Sequence, residues 1–493
     1  MNIGCGKVPT DLRTLYVTHG QGHVFEYVDK GVVDEKGINR LVEQLQNIDV
    51  KSINELYKST FATPKVEDNQ GHDVVEPIKS FGSLACANEE MKAEWYAAGL
   101  GAVSEGKVGM VTLSGGQGTR LGFSGPKGMY NIGLPSAKSL FQLQAERLRR
   151  LCALANEVNG TNEEGAGPRI PWYIMTSPLN DEITRKFFAD SKFFGMSEGD
   201  IFFFPQGTLP CMTTDGKLIL ESASKVAIAP DGNGGIYPAL ERTGALADMR
   251  RRGVQHLHVS SIDNALLRVA DPHFFGYCIL NGADCGNKSV WKSEAEEKVG
   301  VVVLKGGKPC VLEYSEMNPA MCKEVDEKGK LVFGAGNICN HYFSRIFLED
   351  IVLPKMGSMF HVAHKKIPAA DGEKGETVKP TFNNGIKLES FIFDVFPLSE
   401  KMVLFEAPRE DEFAPVKNAP GDTKDSPDTA RGMISAQALR WVEAAGGKTS
   451  IGSKIVNGGE GFCEVSPLVS YGGEGLKEKV NGKALEVPFH IED

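Results

Sequence analysis

From about Lys107 onward, short apolar runs alternate with amphipathic stretches about a dozen residues long. The runs VGMVTL, WYIMTS, DIFFFP and VQHLHVSSI have the length of buried strands, and the stretches between them have helical periodicity. Strands alternating with helices predict a largely parallel sheet with crossover helices, an α/β fold. The clearest helix is SLFQLQAERLRRLCALANEV, where Phe141, Leu148, Leu151, Cys152, Ala155 and Val158 share a stripe and Arg147, Arg149 and Arg150 lie off it. Further strands are expected at VGVVVL and PCVLEYSE.

A chain of 493 residues exceeds one ordinary core. Residues 1–104 read as a mainly helical accessory lobe, with apolar positions at three- and four-residue spacing in LVEQLQNI and INELYKSTF. Residues 105–395 read as the sheet domain, with a charged surface loop at 371–380. In residues 396–493 the polar loop KNAPGDTKDSPDT precedes a Gly-rich, β-prone tail, so a small C-terminal β domain is expected.

Lys plus Arg total 54 against 64 Asp plus Glu, a net charge of -10. Such a field repels nucleic acid and anionic membranes, so any phosphate site has to be built locally from backbone amides and a few aimed cations. Ten cysteines stand without the close pairing of zinc sites, and the amino terminus lacks a basic segment leading into an apolar run. These features predict a cytoplasmic protein with reduced thiols and no nucleic-acid or membrane partner.

The sharpest local signal is VTLSGGQGTRLGFSGPKGMYNIGLPSAKSLFQLQ, an apolar strand entering a loop with Gly115, Gly116, Gly118, Gly122, Gly125 and Gly128. Glycine lets a backbone approach a ligand and converge N–H groups on phosphate oxygens or a base edge; a tight turn packed closely is the plainer reading. Two cations, Arg120 and Lys127, lie in the loop, and cations there would stabilise a departing pyrophosphate. The loop is no Walker site, since Pro126 precedes Lys127, and Leu121 stands where a dinucleotide fingerprint needs its third glycine.

The run LSGGQGTRLG followed by PKGMYNIGLPSAKSLFQ resembles the signature of eukaryotic UDP-N-acetylglucosamine pyrophosphorylases. FPQG, PDGNGGIY, SIDNALLRVADP, LEYSE, FGAGNICNHYF, NNGIKLESFIFDVF and REDEFAPVKN resemble the same family in order, covering most of residues 107–440. The resemblance implies a Rossmann-like, mixed and mostly parallel nucleotidyltransferase domain flanked by two smaller ones. It also implies magnesium dependence, with UTP and N-acetylglucosamine 1-phosphate as substrates and UDP-N-acetylglucosamine and pyrophosphate as products.

Asp263 ends an apolar run, where α/β enzymes place ligands. Magnesium needs only one or two carboxylates beside phosphates and water, whereas the plainer reading makes Asp263 a helix cap before NALLRVA; the resemblance favours the metal. Carried over residue by residue, it puts Gln206, Gly232 and the backbone of Leu113, Ser114, Gly115 and Gly116 at the nucleotide. It puts Asn233, Gly300, Glu313, Tyr314 and Asn337 at the sugar. Phe391 and Phe393, which share one face if SFIFDVF is a strand, would border the acetamido pocket. Lys417, exposed by pattern, would reach the phosphates between sugar and nucleotide. Arg250, Arg251 and Arg252 read as a solvated helix end, and His361 and His364 lack the spacing of metal ligands.

The expected chemistry is one in-line attack by the sugar phosphate on the α-phosphorus of UTP, without a general base. Lys417 and magnesium would act at the α-phosphate, Arg120 and Lys127 on the leaving group. A UDP-sugar pyrophosphorylase of broader sugar range, including glucose 1-phosphate, is the nearest alternative, and a non-catalytic nucleotide-sugar sensor is a more distant one.

Overall fold

The strand Val108–Leu113 is buried at all six positions and has parallel neighbours on both sides. In this computed structural model, which describes residues 7–62, 74–159, 167–450 and 462–492, it lies within an 11-stranded sheet. The main path runs Gly82–Ser83, Met402–Glu406, Cys285–Trp291, Ala335–Ser344, His256–Ser261, Val108–Leu113, Trp172–Thr176, Ile201–Pro205. Ala335–Ser344 alone on this path is antiparallel to its neighbours. Val301–Lys305 joins it at one edge and pairs in turn with Val75–Pro77 and Lys308–Leu312. This is the largely parallel sheet that the alternating pattern predicts, in the mixed, Rossmann-like form that the family resemblance implies.

Strand order explains where a ligand site can form. After Val108–Leu113 the chain moves outward through Trp172–Thr176 to Ile201–Pro205, then returns on the opposite side with His256–Ser261. The order therefore reverses between Val108–Leu113 and His256–Ser261, whose carboxyl ends lead into the glycine loop and into Asp263. Doubly wound sheets bind ligands at such a switch point.

By internal contacts the chain divides into two units, 1–72 with 206–239 and 353–394, and 73–205 with 240–352 and 395–493. This division differs from the partition at 104 and 395, which followed chain order. The helix Glu89–Ser104, assigned above to the N-terminal lobe, belongs to the sheet unit. A Cβ at Gly99 would lie 2.0 Å from the Pro272 carbonyl oxygen, and one at Gly276 would lie 1.7 Å from that of Trp95. Glycine at both positions lets Glu89–Ser104 meet the helix Pro272–Leu280 backbone to backbone. The sheet unit's main core also takes in Phe141, Leu148, Leu151 and Ala155 of the helix Leu140–Asn159. Val158, expected on that stripe, is 66% exposed in the last turn.

The other unit has the expected helices, Glu35–Gln46 and Val50–Ala62 among them, and its core joins Tyr16, Phe25, Leu41 and Leu45 to Met212, Val226, Ile386 and Leu388. The N-terminal segment thus shares a core with residues more than 150 positions away. In 371–380 the expected loop carries a short strand pairing of Ala369–Asp371 with Glu376–Val378.

The C-terminal part is not the small β domain expected. Its largest described element is the helix Pro427–Ala444, begun by Ser426, whose hydroxyl accepts from Thr429 N–H while Thr429 answers with a bond from the Ser426 N–H. Ala430, Ile434, Ala438 and Val442 recur at four-residue spacing and are buried, an apolar stripe that the Gly-rich tail obscured. Part of that Gly-rich stretch, 451–461, lies outside the described residues.

Candidate active site

The glycine loop leaves the sheet already fastened. Ser114 N–H donates to the Met175 carbonyl (2.8 Å), and Asn180 Nδ2 donates to the Ser114 carbonyl (3.0 Å). Leu113 O accepts from Ile262 N–H (3.1 Å), and Gly116 O from Lys127 N–H (3.2 Å). Among the described residues the N–H groups of Gly115 and Gly116 have no backbone partner. Of the backbone donors in Leu113, Ser114, Gly115 and Gly116, these two amides are the ones without a backbone partner among the described residues.

The glycines divide in the same way. Added Cβ atoms at Gly118 and Gly125 would come within 2.8 Å of the Phe123 ring, and one at Gly128 within 2.3 Å of Phe141, so close packing explains those three. At Gly116 an added Cβ meets nothing within 4 Å. Gly122 likewise meets nothing within 4 Å, but its φ of 70° already accounts for glycine there, so Gly116 is the open position without a conformational demand.

Lys127 begins a short 3-10 turn, and its Nζ reaches Asp263 Oδ2 at 3.5 Å, both side chains mostly shielded. Asp263 follows His256–Ser261 into turns, not a helix; the next helix is capped by Asp271, so the cap reading of Asp263 fails. The Asp263 carbonyl accepts from Val416 N–H (2.9 Å), which sets Lys417 beside it. Lys417 is half-buried, not exposed as its pattern predicts, and its N–H donates to the Asp425 carbonyl (2.7 Å). Cys339 also borders this group: burial pushes its thiol up to about 12, Asp263 adds to the rise and Lys417 opposes it. Its φ of 54° is unusual for a side chain other than glycine and falls in a strand whose register against Cys285–Trp291 shifts nearby. Arg120 is exposed on the 3-10 turn Thr119–Leu121, with no ion pair among the described residues.

Three of the expected sugar residues also meet in the sheet unit. Asn337 N–H donates to the Gly300 carbonyl (2.8 Å), and a Cβ on Gly300 would lie 3.4 Å from Glu313 Oε1. Glu313 follows the strand Lys308–Leu312 instead of lying within it; burial and then Glu316 raise its carboxyl. Tyr314 is 49% exposed.

The remaining five lie in the other unit. Gly232 has φ 86°, and a Cβ there would stand 2.2 Å from the Ser390 carbonyl oxygen, so the loop PDGNGG packs directly on 390–391. Gln206 Nε2 lies 3.5 Å from Asp231 Oδ1 and 3.4 Å from the Gly232 carbonyl. Asn233 Oδ1 accepts from Ile392 N–H (2.9 Å), which leaves its Nδ2 to donate elsewhere. Phe391 and Phe393 are not on a strand: the strand Gly385–Glu389 stops short and a 3-10 helix spans Ile392–Leu398. Their rings nevertheless stack, 5.3 Å apart at 17°.

Beneath Asp263 and Lys417 lies a network that the sequence reading missed. Lys288, fully buried on Cys285–Trp291, reaches Asp271 Oδ2 at 2.7 Å and Glu412 Oε2 at 2.5 Å. Glu412 Oε1 accepts from Asn340 Nδ2 (2.9 Å), and the Glu412 carbonyl from Asn264 Nδ2 (2.7 Å). Asn264 Oδ1 accepts in turn from Ala414 N–H (2.9 Å). Burial works against both acids. Lys288 and Arg268 hold Asp271 well below the usual carboxylate range, while Glu412 stays raised. A lysine inside an otherwise uncharged strand was the available signal.

The profile of the family described as UTP–glucose-1-phosphate uridylyltransferase matches residues 51–424. UDP-N-acetylglucosamine diphosphorylase 1 of Arabidopsis thaliana is 42% identical over 96% of this chain and 91% of its own. UDP-N-acetylglucosamine pyrophosphorylase of Saccharomyces cerevisiae is 38% identical over 97% of this chain and 98% of its own. The chain belongs to the UDP-N-acetylglucosamine pyrophosphorylase family. A crystal structure of the Trypanosoma brucei uridine diphosphate N-acetylglucosamine pyrophosphorylase, with inhibitor, superposes with TM-score 0.81 at 30% identity, covering 97% of this chain and 95% of that one.

Magnesium, which the family resemblance implies, can be tested against the donor set. No group of three or more His, Cys, Asp or Glu suited to a metal occurs among the described residues. Asp263 is a single carboxylate paired with Lys127, the sparse protein donation that suits magnesium arriving with nucleotide phosphates.

Proposed function

We propose that this member of the pyrophosphorylase family transfers the uridylyl group of UTP to N-acetylglucosamine 1-phosphate, forming UDP-N-acetylglucosamine and pyrophosphate. The observation that carries this reading is Asp263, paired with Lys127 and joined through its carbonyl to the residue before Lys417, at the switch point of a doubly wound sheet where the glycine loop keeps two open amides.

A phosphate monoester is already ionised at neutral pH, so the sugar phosphate oxygen attacks the α-phosphorus in line without a general base. The open N–H groups of Gly115 and Gly116 hold the nucleotide. Lys417 neutralises charge where the two phosphates meet. Lys127 and Arg120 take up the charge gained by the departing pyrophosphate, more in the transition state than in the ground state. Asp263 would hold magnesium, which supplies charge neutralisation on the phosphates. Glu313, Gly300 and Asn337 receive the sugar hydroxyls and amide, with Asn233 Nδ2 as a further donor, Tyr314 beside the sugar and Phe391 and Phe393 lining the acetamido pocket. Gln206 and Gly232 contact the uridine.

The same reading assigns the chain to the cytoplasm. It is supported by nine described cysteines, all unpaired, and by the lack of any described helix long and apolar enough to cross a membrane.

The test is pyrophosphate release from UTP, with and without magnesium, across N-acetylglucosamine, N-acetylgalactosamine, glucose and galactose 1-phosphates. Preference for the acetylated sugars is expected. Equal rates across the panel would overturn the N-acetyl assignment in favour of a broad UDP-sugar pyrophosphorylase. Nucleotide-sugar binding without pyrophosphate exchange would overturn the enzymatic reading.

A further inference from the structure

His361 opens the strand His361–Lys365. Its Nε2 lies 2.9 and 3.0 Å from the two carboxylate oxygens of Asp394, and its ring centroid lies 4.9 Å from that of Phe391. The same carboxylate accepts the Phe391 N–H at 2.6 Å. A single acid therefore grips the backbone of Phe391 and the imidazole that packs on its ring. Asn233 secures the next residue through Ile392 N–H, at 2.9 Å.

These contacts matter because burial does not hold Phe391. It is only partly buried, and an aromatic ring with a free face keeps one rotamer only when its neighbours lock it. Here the locks are the stack on Phe393 and the imidazole backed by Asp394. An aromatic wall tells an acyl group from a hydroxyl by contact with the extra atoms, and that selectivity is lost when the wall can swing away.

We propose that His361 and Asp394 are positioning residues which fix Phe391 and Phe393 as the wall that selects the N-acyl group of the sugar phosphate. The proposal rests on the activity argued above. It names residues two steps from the substrate, one of which, His361, has no place in a metal or acid–base reading.

The test compares full-length wild type, His361→Ala, His361→Gln and Asp394→Asn, each with N-acetylglucosamine 1-phosphate and glucose 1-phosphate. The readouts are kcat/KM for each sugar, KM for UTP and the thermal midpoint. His361→Ala should lower the acetylated-to-plain kcat/KM ratio about ten-fold, mainly through KM of the acetylated sugar, with KM for UTP unchanged. His361→Gln, whose amide can still donate to Asp394, should restore most of the ratio, and Asp394→Asn should fall between. The positioning role is overturned if the ratio in His361→Ala stays at the wild-type value, if both sugars lose equally, or if the glutamine variant is no better than alanine. A wild type without preference for the acetylated sugar overturns the activity reading and this inference with it. A selective wild type with unaltered variants overturns only the positioning.

Discussion

Gly116 and Gly128 belong to one loop but answer to different constraints. Gly128 sits against Phe141 and cannot carry a side chain without moving that ring, whereas Gly116 opens on empty space. Gly116→Ala should therefore leave the thermal midpoint within a degree or two while raising KM for UTP about ten-fold or more, read by initial rates at saturating sugar phosphate. An unchanged KM would make the loop's open amides irrelevant. Lys417→Ala should fold normally, since the ammonium is half-buried and has no ion pair among the described residues, yet lower kcat on the order of 10²-fold. A single-turnover assay distinguishes that loss from slow product release. The residue types at this scale could be read from the sequence, because glycines, lysines and a lone strand-end aspartate carry their chemistry wherever they are placed. What could not be read was which backbone amides were already spent: Ser114 is engaged by Met175 and Asn180, residues far along the chain.

Between elements, the Lys288 network ties the turn after His256–Ser261 to the segment that carries Lys417, through Glu412 and Asn264. Lys288→Met removes the cation between two buried acids, so a loss of about 3–5 kcal/mol is expected, measured as a lowered urea midpoint of the sheet unit. A midpoint within error of wild type would show the triad to be unimportant for holding the two segments. Strands and helices of the sheet were legible because period and length are local properties: Val108–Leu113, Trp172–Thr176 and Leu140–Asn159 lie where their patterns put them. The helix Pro427–Ala444 was not, because its stripe is two alanines, one isoleucine and one valine amid polar residues, and its strongest signal is the capping pair at Ser426 and Thr429. Phe391 and Phe393 were expected to share one face of a strand, and they come together for another reason. Strand geometry would have aligned the rings, but a 3-10 helix braced by Asp394 and Asn233 does so instead.

At the scale of the whole molecule, three histidines among the described residues are held neutral. Burial pushes His256 and His258 down to about 4 and His341 down to about 3, each from 6.5. His258 accepts from Ala270 N–H at Nδ1 and faces the Asn340 carbonyl oxygen with Nε2, and His341 has no hydrogen-bond partner among the described residues. A histidine whose folded pKa is depressed takes up its proton only on unfolding, so stability is full above about pH 6.5 and falls as pH drops toward the folded values. Between pH 7 and pH 5 each such group should cost about 1–2 kcal/mol, seen as a fall in the unfolding midpoint. His258→Asn should flatten that dependence by roughly one proton's worth, and a slope unchanged by the substitution would exclude His258 as a contributor.

The division of the chain, less predictable than any of this, bears on how such a protein can be cut. Tyr16, Phe25, Leu41 and Leu45 close their core with Met212, Val226, Ile386 and Leu388. A shortened gene beginning at Lys107 would keep the glycine loop and most of the sheet, yet it would strip the apolar partners from the strand that leads into Phe391. Residues 7–62, far from being a dispensable prefix, are one wall of the house in which the proposed sugar-recognising aromatics live.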